Sequence, residues 1–226
     1  MAATPCARLV EAERIQSHLE WLDPWGWPDQ GLPKVQAKYR LNAVAGRIDV
    51  SRSLLFEQAK KADADACIQL DADVEIQTPL DRAMLFVADC YDRGYDLVIW
   101  PTVAADKKTL LLSNPNRPNT PFLEPWEVTG GAFGGVVMSR KVLKNLKPIS
   151  EITFAGVDEK PHPLYCTQEG AITEDYSFCN TVTNQGMKVC ADPRVIIGHK
   201  KGVMLAAMYG KEDPRFRDLG IPQPVV

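Results

Sequence analysis

The apolar residues of the chain fall into two patterns that alternate along its first half. Short runs that are largely apolar, or that alternate with polar residues, predict strands at residues 1–6, 34–39, 66–70, 97–100, 135–139, 188–191 and 194–197. Apolar residues at helical spacing predict helices at residues 9–22, 51–61, 78–93, 141–146 and 174–184. Strands that alternate with helices indicate an α/β sheet with parallel neighbours.

Residues at the ends of the predicted helices support these boundaries. Thr78, Ser139 and Thr173 are predicted N-caps, because a hydroxyl can accept a hydrogen bond from a free backbone N–H of the first turn. Gly94 and Gly186 are predicted to end helices, because glycine adopts the backbone conformation that follows a last helical turn.

Three segments lack either pattern and are rich in proline or polar residues, at residues 23–33, 106–127 and 148–168. Proline and glycine prevent a regular element in the first of them. Long irregular loops carry function more often than packing, so the second and third segments are predicted to take part in recognition.

Composition narrows the class of protein. The chain has 226 residues, with 26 Lys and Arg against 29 Asp and Glu, which suits a single domain and argues against binding nucleic acid through a broad basic face. No apolar run approaches the roughly 20 residues of a membrane helix, and the first residues lack the layout of a secretion signal. The six cysteines form no C-x-x-C pair and are predicted to be reduced core residues. We expect a soluble, cytoplasmic protein.

Two aspartates follow the predicted strand at residues 66–70. Asp71 and Asp73 are two residues apart, so in extended chain both carboxylates point to the same side. The carboxyl edge of an α/β sheet is where such proteins bind substrates, and two carboxylates there suit Mg²⁺ or Mn²⁺ bridging to a diphosphate. A plain turn after the strand is the alternative interpretation of the same pair.

Several common catalytic signatures are absent from the sequence. It contains no G-x-S-x-G, no G-x-x-x-x-G-K-[ST] and no H-E-x-x-H. The glycine-rich segment 130–135 does not fit G-x-G-x-x-G, and a strand-like run follows it where a helix should begin.

Four motifs, in order, resemble those of glycosyltransferases of the GT-A fold, particularly the compact family-2-like type of bacteria and phages. They lie at Thr4-Pro5, at residues 50–74 (VSRSLLFEQAKKADADACIQLDADV), at residues 129–146 (TGGAFGGVVMSRKVLKNL) and at residues 173–200 (TEDYSFCNTVTNQGMKVCADPRVIIGHK). The resemblance covers most of the chain and implies a GT-A-like, Rossmann-related fold with a mixed, mostly parallel sheet flanked by helices. Residues 1–226 would form one catalytic domain.

The resemblance implies a metal-dependent transfer of a sugar from a nucleotide-diphosphate sugar, with UDP favoured, to a hydroxyl acceptor. Thr4 and Pro5 would bind the nucleotide. Asp73 would be a direct ligand of Mn²⁺ or Mg²⁺, Asp71 would reach the ribose or the metal shell, and His199 would be a further metal ligand. A metal held there would neutralise charge on the departing diphosphate.

The second acidic pair is the candidate for proton transfer. In inverting members of the resembled family the Asp of such a pair removes the proton of the acceptor hydroxyl, so Asp175 is the expected base, beside Glu174. The helix dipole is expected to keep Asp175 ionised. Retaining enzymes of the same fold need no such base, so the stereochemistry stays open.

Three further positions complete the expected donor site. Arg52 could pair with a phosphate or with a carboxylate of the site, although Ser53 stands where the family commonly has Asn. Gly130 and Gly131 would allow close approach to a bound sugar, or would simply form a bend before a strand.

Two other functions fit some of the same features. A nucleotidyltransferase that makes nucleotide sugars shares the sheet and the metal, but usually carries a glycine-rich basic loop after its first strand, whereas residues 4–12 contain one Arg and no Gly. A non-catalytic nucleotide-sugar-binding module is the second alternative. The acceptor class is open, a modified nucleic-acid base included, and residues 106–127 and 148–168 are where its recognition is expected.

Overall fold

The computed structural model describes residues 2–6, 39–43, 47–71, 74–102, 111–113, 124–154, 158–168, 170, 172–199 and 203–204. Only the backbone is described for residues 2–6, 39–43, Glu75, Phe154, 158–159, His199 and 203–204. The predicted helix at residues 9–22, the predicted loop at residues 23–33 and residues 34–38 of a predicted strand lie outside the described residues.

The described elements follow one another in mixed α/β order. They are β1 (Ala2–Cys6), β2 (Tyr39–Ala43), α1 (Ile48–Lys61), β3 (Ala66–Leu70), β4 (Val74–Ile76), α2 (Leu80–Asp92), β5 (Leu97–Trp100), β6 (Leu112–Ser113), β7 (Trp126–Glu127), β8 (Gly130–Gly131), β9 (Gly135–Ser139), α3 (Arg140–Asn145), β10 (Ser150–Phe154), β11 (Asp158–Leu164), α4 (Glu174–Asn184), β12 (Val189–Ala191), β13 (Ile197–His199) and β14 (Val203–Met204). The predicted strands at residues 66–70, 97–100 and 135–139 are confirmed residue for residue.

The main sheet has, within the described residues, seven strands in the order β2-β1-β3-β9-β5-β12-β7. β1 is parallel to β2 and β3, and β5 is parallel to β12, whereas β9 and β7 are antiparallel to their neighbours. Because β9 opposes both β3 and β5, five of these seven strands point the same way. The expected α/β class, with a mixed sheet flanked by helices, is confirmed, although only three of the six described pairings of the main sheet are parallel. Parallel neighbours are nevertheless interrupted in the centre, where β9 separates β3 from β5.

Apolar side chains fill both faces of this sheet. Val136 of β9 contributes to one hydrophobic cluster and Val137 to the other, because successive residues of a strand point to opposite faces. Helices α1 and α4 cover the first face through Phe56 and Phe178, and helix α2 covers the second through Val87. A sheet buried on both faces explains why its central strands are almost continuously apolar.

The ends of the helices depend on both local and distant contacts. The predicted cap Ser139 is confirmed, since its Oγ accepts a hydrogen bond from Val142 N at 3.3 Å. Thr78 is not a cap: Pro79 precedes the helix, and Thr78 Oγ1 accepts from Ile196 N at 2.8 Å instead. The sequence pattern assigns the Thr78 hydroxyl to capping the helix, but this hydroxyl instead binds a buried backbone N–H of a distant segment. Thr173 occupies the N-cap position of α4, but its side chain makes no capping hydrogen bond.

Other boundaries differ by a few residues. Helix α1 begins at Ile48, three residues before the predicted start, with Asp49 accepting a hydrogen bond from Val50 N in its first turn. Gly94 and Gly186 follow α2 and α4 with φ of +86° and +77°, which confirms both predicted stops.

The prediction that residues 148–168 are irregular is wrong, because β10 and β11 form an antiparallel hairpin there. Pro161 and Pro163 suggested a loop, but the described partner of β11 is β10 alone, and a strand paired on one side tolerates residues without an N–H. The segment 106–127 contains the short strands β6 and β7 in its described part.

A three-stranded sheet, β14-β13-β4, lies beside the main one. The sequence did not predict β4, and β13 begins at Ile197, where the strand predicted at 194–197 ends. Arg194 instead forms a turn, because its backbone N–H and its guanidinium Nε both donate to Asp192 Oδ1.

Two expectations about the chain as a whole can be compared with the described residues. The five cysteines with described side chains are buried and free, which confirms them as reduced core residues: Cys67, Cys90, Cys166, Cys179 and Cys190. Across the described ranges, each helix is too short or too polar to cross a bilayer.

Gly135→Ala is expected to destabilise the fold by about 1–3 kcal/mol, because the added methyl overpacks the centre of the sheet. A Cβ at Gly135 would lie 2.5 Å from Cε3 of the buried Trp100. Urea unfolding measures the loss. Gly94→Ala is the control: its Cβ would meet nothing within 4 Å, so only its positive φ is strained and the expected cost is about 1 kcal/mol. Equal unfolding midpoints for Gly135→Ala and the unmodified chain would contradict this packing.

Candidate functional site

The carboxyl ends of β3 and β5 meet the start of β9 at one edge of the sheet. Gly135 pairs with both Leu70 and Trp100, and Asp71 N donates to Gly134 O at 3.1 Å. The segment before β9 therefore lies next to Asp71. The edge where we expected substrate binding thus brings the first acidic motif beside the glycine-rich segment.

A buried arginine gathers both acidic motifs at this edge. The Arg52 side chain is only 1% exposed. Its Nη2 lies 2.8 Å from Asp71 Oδ1 and 3.1 Å from Asp175 Oδ1, and its Nε lies 3.3 Å from Glu174 Oε1. Of the two partners that the sequence left open for Arg52, the described residues supply the carboxylates. The guanidinium holds residues that are more than 100 positions apart in sequence.

Two helix beginnings and one loop position this cluster. Arg52 lies near the start of α1, and Glu174 and Asp175 form the first turn of α4. The ring of Phe133, fully buried, lies 5.2 Å from the Arg52 guanidinium, and Phe133 N donates to Asp175 Oδ2 at 3.2 Å. Both oxygens of Asp175 thus face groups that favour a fixed side-chain orientation.

Two buried polar atoms of the cluster make no hydrogen bond within the described part of the chain. These are Arg52 Nη1 and Asp175 Oδ1, the latter facing Arg52 Nη2 as an ion pair without hydrogen-bond geometry. Asp71 is the most accessible of the three carboxylates, with 26% of its side chain exposed, against 9% for Glu174 and 14% for Asp175. Solvent or a ligand therefore reaches the cluster from the side of Asp71.

The environment of Asp175 changes its ionisation. Burial raises the pKa of Asp175 to about 7, against the opposing effect of Arg52, and the negative charges of Glu174 and Asp71 raise the pKa further. Desolvation thus opposes the effect expected from the helix dipole, and a carboxyl with this pKa is about half ionised at neutral pH. For Arg52, burial lowers the pKa, but attraction to Asp71, Asp175 and Glu174 raises it above its ordinary value overall.

The predicted metal ligands are described only in part. Asp73 lies outside the described residues, and His199 is described by its backbone alone. In the register of β13 and β4, His199 pairs with Val74, the residue directly after Asp73 in sequence. The backbone thus brings His199 to the end of the Asp-x-Asp motif. Among the side chains that are described, no group of three or more His, Cys, Asp or Glu is arranged to hold a metal ion.

Thr4 and Pro5 lie at the same edge of the sheet. In β1, Ala2 and Ala3 pair with Ile68 and Gln69 of the parallel strand β3. The next two residues of β1 therefore extend beyond that pairing towards the carboxyl end of β3. Their side chains are not described.

Gly130 and Gly131 are packed against the protein itself. A Cβ at Gly130 would lie 2.9 Å from Cδ1 of Tyr176, and a Cβ at Gly131 would lie 2.5 Å from Cδ2 of Leu112. The two glycines form strand β8, and because they have no side chain they leave room for Tyr176 and Leu112. Their role in approaching a sugar stays a prediction, since packing alone accounts for them.

The central position of Arg52 and the contact of Phe133 with it were not evident from the sequence. The only local signals were an arginine near a predicted helix start and an aromatic residue between glycine pairs. Neither identifies its partner, because Arg52 and Glu174 are 122 positions apart.

Sequence comparisons add no family: no protein-family model matches the chain, and no curated protein matches it in sequence. Comparison of structures does find relatives. The crystal structure of A197 from STIV superposes with a TM-score of 0.60 at 16% identity, over 88% of this chain and 83% of that one. The two chains share a fold.

Two further solved structures are more distant. GalNAc-T7 with UDP, GalNAc and Mn²⁺ gives a TM-score of 0.47 at 16% identity, over 87% of this chain but only 37% of that one. A mutant Drosophila β1,4-galactosyltransferase 7 in complex with manganese, UDP-Gal and xylobiose gives 0.42 at 12% identity, over 90% of this chain and 68% of that one. At these scores neither likeness supports a conclusion about this chain.

Proposed function

We propose that the chain is a metal-dependent glycosyltransferase that moves a sugar from a nucleotide-diphosphate sugar, with UDP favoured, to a hydroxyl acceptor. The observation that supports it best is the convergence of Asp71, Glu174 and Asp175 on buried Arg52 at the carboxyl edge of the sheet. These residues belong to two of the four motifs that carry the resemblance to GT-A glycosyltransferases. An inverting sugar transfer would use both, one beside the departing diphosphate and one beside the attacking hydroxyl.

Asp175 is proposed as the base of an inverting reaction. Its Oδ2 accepts a hydrogen bond from Phe133 N, so the oxygen proposed to take the acceptor's proton is Oδ1, which is buried and faces Arg52 Nη2 at 3.1 Å without a hydrogen bond. A pKa of about 7 suits a base that works near neutral pH, because it balances the ionised fraction against proton affinity. Glu174, bound to Arg52 Nε, would orient the guanidinium that faces Asp175.

The donor site is proposed on the side of Asp71. Asp71, Asp73 and His199 would hold Mn²⁺ or Mg²⁺, since two carboxylates and an imidazole form a donor set that such a cation accepts. The exposed fraction of Asp71 and the pairing of His199 with Val74 are consistent with this set. When bound, the metal would supply charge neutralisation for the departing diphosphate. Thr4 and Pro5, at the end of β1, would contact the nucleotide.

Asp73→Ala is expected to remove the metal dependence of donor binding. Titration of the unmodified chain with UDP-sugars, with and without Mn²⁺, should show binding that Mn²⁺ strengthens. The variant should bind equally with and without the metal, because a direct ligand has been lost. Asp92→Ala is the matched control, since Asp92 is an exposed aspartate at the end of α2, and it should behave like the unmodified chain.

Three outcomes of this titration differ in meaning. Undiminished Mn²⁺-supported binding by Asp73→Ala would remove Asp73 from the metal site. UDP-sugar binding without any transfer to a broad acceptor panel would favour the binding-module alternative. Failure of every nucleotide sugar to bind the unmodified chain would contradict the proposed function.

A further inference from the structure

A groove lies beside helix α4, outside the cluster around Arg52. It encloses about 280 Å³ between α4 and the base of the β10–β11 hairpin. Ile149 and Ile172, with exposed fractions of 46% and 50%, form its apolar walls. Asn180 and Asn184, both exposed and one helical turn apart, provide amide groups along its length.

The walls of the groove are held by hydrogen bonds between side chains and backbone. At one end, Gln185 Oε1 accepts from Lys147 N and Gln185 Nε2 donates to Lys147 O, both at 2.9 Å. At the other end, Thr167 N donates to Ser177 Oγ at 2.9 Å. These contacts join α4 to the two chains that lead into and out of the hairpin, so the groove is formed before any ligand arrives.

The chemistry of the lining limits the class of ligand. Every side chain that the described residues contribute to it is an uncharged amide, a hydroxyl or isoleucine. A phosphate, a uronic acid or a nucleic acid would find no cation among these described lining residues. The side chains of Gln185, Ser177 and Thr181 already make hydrogen bonds within the protein. The exposed amides of Asn180 and Asn184 can both donate and accept, and next to aliphatic surface they match a neutral molecule with many hydroxyls and apolar ring faces.

The groove runs along the helix whose first turn carries the proposed base, Asp175. Its lining residues Ser177, Thr181 and Asn184 are spaced so that they share one face of α4. From Ser177 to Gln185 the helix rises about 12 Å, which is long enough for more than one sugar ring. We propose that this groove binds a neutral oligosaccharide and holds it as the acceptor of the sugar transfer. The acceptor role rests on the proposed function, whereas the binding of the saccharide does not.

The test is a titration of the full chain with neutral trisaccharides of glucose, mannose, galactose and N-acetylglucosamine, and with trimers of uronic acids. Backbone amide NMR shifts report where each sugar binds. We expect at least one neutral trimer to shift the amides of residues 177–185, and the uronic acid trimers to bind more weakly. Absence of such shifts with every neutral trimer at about 10 mM, or tighter binding of the uronic acids, overturns the proposal.

Matched variants identify the groove residues. Asn180→Ala and Asn184→Ala should each weaken binding by about two- to tenfold, the loss expected for one hydrogen bond to a neutral group. Asn145→Ala removes an exposed amide at the end of α3 and should change nothing. Ile172→Ala should weaken binding, whereas Leu85→Ala, which truncates an equally exposed residue on α2, should not. Equal effects of the groove variants and their controls overturn the proposal.

The outcomes separate this site from the proposed function. Binding of a neutral trimer in the groove without binding of any UDP-sugar would contradict the proposed glycosyltransferase function but support the saccharide site. A chain that binds UDP-sugars but no neutral trimer retains the donor site and loses the groove.

Discussion

Asp175→Asn is expected to abolish sugar transfer while leaving UDP-sugar binding within about twofold of the unmodified chain. The amide keeps the size of the side chain and can still accept from Phe133 N, but it cannot take a proton from the acceptor. General-base catalysis typically contributes about 10²–10⁴-fold in rate, so we expect a loss of that size in kcat. Transfer rates with saturating donor, measured by mass spectrometry, and donor affinity, measured by calorimetry, provide the two readouts.

The dependence of activity on pH should also show the deprotonation of Asp175. A base must be deprotonated, so kcat/KM of the unmodified chain should rise with pH and level off above about 7, the value to which burial and the neighbouring carboxylates raise the pKa of Asp175. Asp96→Asn is the matched control. Asp96 is a buried aspartate at the opposite edge of the sheet, paired with Lys141 Nζ at 3.0 Å, and its replacement should leave the pH profile unchanged.

The free energy of unfolding should change with pH in the direction opposite to activity, falling as pH rises. The raised pKa means that folded Asp175 keeps a proton that the unfolded chain has already lost, so its contribution favours folding at low pH and is lost as pH rises through about 7. Asp175→Asn removes this loss, so the variant should gain stability relative to the unmodified chain as pH rises from about 4, the ordinary pKa of an aspartate, to about 7. Full transfer activity in Asp175→Asn would exclude Asp175 as the base, and an unchanged difference in stability across this range would contradict its raised pKa.

Arg52→Met is expected to destabilise the protein by about 3–5 kcal/mol, because it leaves partly buried carboxylates without their cation. For a chain of this size the loss corresponds to a fall in Tm on the order of 10 °C. Thermal and urea unfolding at pH 7 measure it. The loss should shrink as pH is lowered below the pKa of Asp175, because protonation removes one of the uncompensated charges.

Arg140→Met is the matched control for Arg52→Met. Arg140 also contacts two aspartates, Asp63 and Asp65, but its side chain is 44% exposed and both acids are more exposed still. Surface ion pairs contribute about 0–1 kcal/mol, so this variant should unfold almost like the unmodified chain. Equal losses in the two variants would contradict the central role of Arg52 in holding the cluster.

Local patterns identified the four described helices and several strands of the main sheet, but none of the short strands β4, β6, β7 and β8. The strands at 66–70, 97–100 and 135–139 were predicted residue for residue, because each is a short apolar run with a clear boundary. The hairpin at 150–164 was missed for the converse reason: its prolines signal a loop unless the strand pairs on one side only. Thr78 was assigned to its own helix, since nothing nearby in sequence reveals the backbone N–H of Ile196 that it binds.

The sequence by itself determined the α/β class and the residue types of the proposed site, with an aspartate pair after a strand and an acidic pair beginning a helix. Periodicity and residue type are local properties, so they can be recognised without the fold. Only the tertiary structure decided that Asp71, Glu174 and Asp175 share Arg52, and that burial brings the pKa of Asp175 to about 7. Desolvation and charge pairing depend on which distant residues meet, and that is set by how the sheet assembles.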